Sequence, residues 1–262
     1  MDLHLHQRTA IVCGSTQGIG RAVAVELATL GANIVLMARN AERLAAVRDT
    51  LDASSDQDHQ FLVADFSEPA QVKLAIEGFL EQGGRADILI NNTGGPPAGT
   101  AIDAQVPEFL AAFETHLVSN HVLTQALVPG MKENRFGRIV NVISTSVKQP
   151  IVGLGVSNTI RGAVASWAKT LATELGPFGI TVNNVLPGMT RTGRLESIIQ
   201  TRAEKSGRSI EDVTAEMERE TPAGRFGEPA EIAAAAAFLC TPAAAYINGI
   251  NLPVDGGRTL CL

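Results

Sequence analysis

The chain has 262 residues, 45% of them hydrophobic and 18% charged, a net charge of −6 and one tyrosine, Tyr246. Normal apolar content with modest charge excludes a disordered chain. Single α/β domains commonly reach about 250 residues, and a core of that size buries about three-quarters of the unfolded surface. With 21 Lys and Arg against 27 Asp and Glu, 4% aromatics and no basic stripe, no nucleic-acid partner is expected.

The longest apolar run, Ile232 to Cys240, has nine residues, against roughly 18 for a membrane-spanning helix, so no membrane partner is expected. The opening Met1-Asp2-Leu3-His4-Leu5-His6 has neither the basic start nor the apolar stretch of a signal peptide. Three cysteines, Cys13, Cys240 and Cys261, without C-x-x-C spacing, fit reduced thiols and a cytoplasmic setting. No metal site is expected: His4 and His6 read as an exposed start, and His116 and His121 would lie about 140° apart on a helix.

In chain order, short β-branched runs at 9–13, 33–38, 60–64, 87–91, 138–143, 181–186 and 251–254 read as buried strands. Between them, 18–30, 41–51, 69–81, 107–133, 155–175 and 229–240 read as helices, with Asp or Pro near several starts and glycine at several ends. The rhythm predicts a single α/β domain over 1–262, a seven-stranded parallel sheet with helices on both faces. Residues 192–220 interrupt it with a charged helical pair. Its apolar side (Leu195, Ile198, Ile199, Val213, Met217) suits either a lid over a pocket or an ordinary surface hairpin.

Chemistry gathers where strands give way to loops. The first strand runs into Gly14-Ser15-Thr16-Gln17-Gly18-Ile19-Gly20 and then a helix. Glycines there let backbone N–H groups and the helix dipole approach a pyrophosphate. Arg39 ends the second strand, where an acidic residue would bind a ribose 2′-hydroxyl and an arginine can meet a 2′-phosphate. This favours NADP(H), with NAD(H) as the alternative. Asp65 and Phe66 follow the third strand, and Asn91-Asn92-Thr93-Gly94 the fourth, placing polar groups and flexible backbone along the same edge.

Several ordered motifs resemble those of the short-chain dehydrogenase/reductase family across nearly the whole chain. Cys13-Gly14-x-x-x-Gly18-Ile19-Gly20 is similar to its T-G-x-x-x-G-x-G loop, and Asn91-Asn92-Thr93-Gly94 to its N-N-A-G. Gly137-Arg138-Ile139-Val140-Asn141, Pro187-Gly188 with Thr192, Gly224-Arg225-x-Gly227-x-Pro229 and Val254-Asp255-Gly256-Gly257 look like later landmarks. The overall look is closest to 3-oxoacyl-[acyl-carrier-protein] reductase-like members. The resemblance implies a doubly wound Rossmann-type fold and a small-molecule substrate. It also implies a homo-dimer or homo-tetramer through helices 107–133 and 155–175. Gly14 to Gly20, Arg39, Asp65, Phe66, Asn91, Thr93, Gly94, Arg161, Pro187, Gly188 and Thr192 become the cofactor-binding set.

The family's active site uses Asn, Ser, Tyr and Lys. Ser144 fills the serine place, whereas His116, Ser157 and Arg161 stand where Asn, Tyr and Lys are expected. A phenol with a reference pKa of about 10 can be tuned by nearby charge, but a serine hydroxyl is a far weaker acid and usually needs an activating base. Two readings follow. In one, an NADP(H)-dependent oxidoreductase works with Ser144 polarising a carbonyl, Arg161 orienting the cofactor and His116, with an ordinary pKa near 6.5, supplying or relaying the proton. In the other, a nucleotide-binding homologue without useful turnover acts as a sensor or scaffold.

Overall fold

The computed structural model describes residues 1–261. Its seven strands are β1 (Thr9–Cys13), β2 (Asn33–Ala38), β3 (Gln60–Val63), β4 (Ile88–Asn91), β5 (Gly137–Val142), β6 (Ile180–Pro187) and β7 (Asn251–Val254). They pair in parallel in the order β3-β2-β1-β4-β5-β6-β7. The predicted seven-stranded parallel sheet is therefore the observed one, with strand ends shifted by a residue or so.

Alternation along the strands sends successive side chains to opposite faces. Ala10 and Val12 of β1, with Ile34 and Leu36 of β2, join one core beside α1 (Gly18–Thr29) and α9 (Pro229–Cys240). Ile11, Cys13, Val35 and Met37 face the other, beside α3 (Pro69–Glu81), α5 (Ser119–Glu133) and α6 (Gly155–Leu175). A short helix α2 (Ala41–Arg48) packs at β2, its first turn capped by the Asn40 side chain, which accepts from Arg43 N at 2.8 Å. Each fully buried Val, Leu or Ile here contributes about 1.5–3 kcal/mol of transfer free energy.

The predicted helix over 107–133 is not uniform. It opens as α4 (Val106–Phe113), widens into a π-helical turn at Glu114–Val118, and continues as α5. The wider turn lets α4 lay Ala112 on Val156 and Ile160 of α6, while α5 presents Leu123, Leu127 and Met131 to the sheet. Apolar periodicity alone does not reveal such a turn, and π turns of this kind are common at functional sites. His116 sits in its middle.

The inserted segment folds as α7 (Gly193–Ser206) and α8 (Ile210–Arg219). Leu195, Ile199, Ala203, Val213 and Met217 close a small core of their own around Phe226. Among the described residues, no helix is long and apolar enough to cross a membrane.

Four asparagines, one per strand, form a ladder across half the sheet. Asn91, Asn141, Asn184 and Asn251 are in register across β4 to β7. Asn91 Nδ2 donates to Asn141 Oδ1 at 2.9 Å, Asn141 Nδ2 to Asn184 Oδ1 at 2.9 Å, and Asn184 Nδ2 to Asn251 Oδ1 at 2.8 Å. Asn141 is fully buried in the middle. Its replacement by alanine removes two side-chain bonds and orphans a buried donor and a buried acceptor. Asn141→Ala is therefore expected to cost about 2–4 kcal/mol, read as a lower urea midpoint at unchanged slope.

Candidate active site

In an open parallel sheet, ligands bind beyond the carboxyl ends of the strands where the order reverses. Here that point lies between β1 and β4. The loop after β1 is built for close approach. Gly14 and Gly18 adopt φ of +59° and +55°, and a Cβ on Gly14 would overlap the Asn92 carbonyl. A Cβ on Gly20 would overlap the Gly14 carbonyl. Asn92 Nδ2 donates to the carbonyls of Cys13 at 3.2 Å and Gly14 at 3.4 Å, and buried Ser15 accepts from Met37 N at 3.1 Å. The loop is thus pinned from both sides. Among the described residues no side chain caps the start of α1 and its first turn holds no acid, so its N–H groups are left for water or a ligand. Thr16, Gly18 and Ile19 are half-buried around this turn and Gln17 is exposed.

Arg39 is 80% exposed at the end of β2, with its guanidinium 3.8 Å from Asp65. Asp65 accepts from the backbone and hydroxyl of Ser67, at 2.9 and 2.7 Å, which hold its carboxyl below the usual range. The Phe66 side chain lies in the core, and its carbonyl accepts the Ser119 hydroxyl at 2.8 Å. The side-chain NH2 of Asn91 is committed to the asparagine ladder, leaving its Oδ1 without a partner among the described residues. Across the crevice, Gly188 N donates to Val254 O at 3.0 Å, directly after Pro187 ends β6. The Thr192 methyl lies 3.3 Å from where a Cβ on Gly18 would stand. Gly94 faces open space.

The candidate catalytic residues come from the end of β5, the π turn and α6. Ser144 follows β5, and its hydroxyl accepts from Ser146 N at 3.1 Å. Ser157 and Arg161 stand one turn apart on α6, both buried. Arg161 Nη1 donates to Val142 O at 3.3 Å. His116 Nδ1 is 2.6 Å from the Thr93 hydroxyl.

Burial, reinforced by the Arg161 charge, pulls the His116 imidazole down to about 2. The ordinary value that makes His116 a proton source on sequence grounds therefore does not hold in the fold: the ring is neutral at any physiological pH. Arg161 is pulled down to about 10 by burial and by Arg194, and stays charged.

Two residues of this site carry no clear signal in the sequence. Asn92 is half of a recognised doublet, but its loop-pinning role depends on the β1 loop lying against it. Arg194, at the start of α7, donates through Nη2 to Pro96 O at 2.7 Å and ties the inserted helices to the loop after β4. Tyr246 is fully exposed near Gly179 and Ile180, at the opposite end of the strands, and takes no part here.

A family model described as enoyl-(acyl carrier protein) reductase matches residues 14–259. The chain belongs to the short-chain dehydrogenase/reductase family. It is 30% identical over 254 residues to the NADPH-dependent reductase BacG of Bacillus subtilis, covering 97% of this chain and 98% of that protein. Identity is 31% over 255 residues with 3-oxoacyl-[acyl-carrier-protein] reductase FabG of Vibrio cholerae, covering 97% of this chain and 98% of FabG. Among solved structures, L-sorbose reductase from Gluconobacter frateurii, complexed with NADPH and L-sorbose, superposes with a TM-score of 0.93. That match has 30% identity and covers 100% of both chains. YwfH, an NADPH-dependent reductase involved in bacilysin biosynthesis, gives a TM-score of 0.92 at 29% identity, covering 97% of this chain and 99% of that one.

Within this short-chain dehydrogenase/reductase fold, His116 has a thermodynamic signature. Its folded value of about 2 lies below the ordinary 6.5. Between those limits the unfolded chain binds a proton that the native chain does not, so stability falls as pH drops below about 6.5. Each pH unit costs about 1.4 kcal/mol from this group. His116→Asn is expected to flatten that part of the stability curve, measured as urea midpoints between pH 6.5 and 4.5. An unchanged slope would contradict the neutral-imidazole assignment.

Proposed function

We propose that the chain is an NADP(H)-dependent oxidoreductase that interconverts a carbonyl and an alcohol through Ser144, Ser157, Arg161 and His116. The observation that carries this reading is the Arg161 guanidinium: buried, still charged, and without a carboxylate within ion-pair distance among the described residues. A fixed cation in a dry site stabilises negative charge as it develops on an oxygen, and such preorganised electrostatics are often the largest catalytic contribution. The NADPH dependence of BacG and YwfH and the NADPH bound to L-sorbose reductase support the cofactor assignment.

The backbone of Gly14–Gly20 would hold the pyrophosphate, with Thr93, Gly94, Pro187, Gly188 and Thr192 completing the crevice. Arg39 would meet the 2′-phosphate, exchanging a weak exposed contact with Asp65 for a charge-assisted one. A nicotinamide cofactor held there would supply or accept the hydride. Ser144 hydrogen-bonds the substrate oxygen. Ser157, one turn from Arg161, passes a solvent proton to that oxygen; a hydroxyl this weakly acidic gives up a proton only as it takes another. Neutral His116 fixes the Thr93 hydroxyl rather than titrating. The inserted helices α7 and α8 serve as the lid.

The exposed Val106, Leu110 and Phe113 of α4 support the homo-dimer or homo-tetramer expected from the two long helices. Three free cysteines, two of them buried, suit a cytoplasmic location.

NADPH and NADH titrations followed by the fluorescence of Trp167, the one tryptophan, test the cofactor assignment. NADPH is expected to bind more tightly, and Arg39→Ala to weaken NADPH about 10- to 100-fold while leaving NADH nearly unchanged. On any carbonyl that the wild type reduces, Ser144→Ala is expected to lower kcat about 10²- to 10³-fold. A protein that binds NADPH yet turns over nothing in a broad carbonyl panel would remove the reaction from this proposal.

A further inference from the structure

The chain buries two arginines in opposite ways. Arg138 is 3% exposed, and its Nη1 donates to the carbonyls of Gly137 at 2.8 Å and Gly179 at 3.2 Å. Its guanidinium also lies 4.1 Å from the centre of the Phe136 ring. That cation is compensated by carbonyls and an aromatic face. Arg161 is 7% exposed, and its one side-chain bond among the described residues is the 3.3 Å contact to Val142 O. A buried charge left this bare is costly unless something of opposite sign comes to meet it.

A second cation points to the same place. A Cβ built on Gly95 would stand 3.7 Å from Arg161 Nη2 and 3.8 Å from Arg194 Nη2. The two guanidinium groups thus converge from α6 and α7 on one glycine, where no side chain fills the space between them. Arg194, like Arg161, forms no ion pair among the described residues. Like charges held this close repel, and the repulsion helps pull Arg161 below its ordinary value. A carboxylate or phosphate placed between them relieves both the repulsion and the missing solvation, through charge-assisted bonds suited to guanidinium geometry.

We propose that Arg161 and Arg194 form an anion subsite at Gly95 that takes the carboxylate or phosphate of the substrate. The substrate class becomes a carbonyl or hydroxy compound that carries an acidic group. This deepens, and rests on, the crevice reading under Proposed function. The cofactor's own phosphates are the competing source of negative charge. The glycine loop that would hold them follows β1, whereas Arg161 is anchored at the end of β5, two strands away across β4. Two strand spacings are roughly 10 Å, too far for one phosphate to serve both places.

Isothermal titration of the full chain with malonate and with inorganic phosphate, at constant ionic strength in chloride, tests the subsite. Titrations run with and without saturating NADPH, whose own affinity is measured separately. Either anion is expected to bind with NADPH present or absent, about tenfold more weakly in Arg194→Gln, and with much of the affinity restored in Arg194→Lys. In a carbonyl panel, oxo acids are expected to show a lower KM than their methyl esters, with the difference shrinking in Arg194→Gln. Anion binding that NADPH abolishes would assign the pair to the cofactor's phosphates and overturn the proposal. Absence of any Arg194-sensitive anion binding would overturn it as well. In both cases the separate NADPH titration reports whether the cofactor reading itself stands.

Discussion

Gly14 and Gly20 stand so near Asn92 that a methyl group on either would overlap its neighbours, and Asn92 uses that closeness to bond two carbonyls of the glycine loop. The loops after β1 and β4 are therefore held together at the point where the strand order reverses. The rest of the crevice is placed from the stretch that follows Asn92. Thr93 receives His116 from the π turn, Gly95 lies beneath Arg161 and Arg194, and Pro96 accepts the bond from α7. On the far side, the Thr192 methyl comes against Gly18, so the inserted segment meets the same loop. A bulkier residue at Gly14 would disturb the glycine loop and, through Asn92, the wall that faces it.

Burial then acts on two basic side chains with opposite results. Desolvation disfavours the charged form of both His116 and Arg161. Imidazole starts at 6.5 and falls to about 2; guanidinium starts at 12.5 and falls only to about 10. One becomes a neutral hydrogen-bonding ring and the other remains a cation. The division follows from the starting values, and the Arg161 charge is itself one reason His116 stays neutral. Of these two side chains, only Arg161 carries a permanent charge into the crevice.

The parts legible in the sequence are those encoded within a few residues. The strands show as β-branched runs, the glycine loop as three glycines between a strand and a helix, and Arg39 as a basic residue at a known strand end. What stayed hidden depends on partners far along the chain. The asparagine ladder takes one residue from each of four strands, and its members look like isolated polar residues in apolar runs until the register aligns them. The π turn is invisible because Ala112 and Leu123 both satisfy an ordinary helical period. The neutrality of His116 needs burial and a guanidinium from another helix. The link from Arg194 to Pro96 spans 98 residues.

The lone tyrosine sharpens the chemical question because it sits at the wrong end of the strands. On the proposed reading the proton would come from weakly acidic hydroxyls rather than a phenol, and stabilisation of negative charge would come from elsewhere. Arg161 would be available for that, since no carboxylate of the described residues pairs with it, and a second guanidinium stands close to it at Gly95. Arg194 supplies the second cation from α7, whose core with α8 and Phe226 is separate from the two large cores of the sheet. Its single carbonyl contact at Pro96 is easily exchanged for a charged partner, since hydrogen bonds to ionised groups are roughly twice as strong as neutral ones. The bond to Pro96 already ties α7 to the loop after β4; the proposed anion would replace Pro96 as the partner of Arg194 and join α7 to Arg161 of α6 instead.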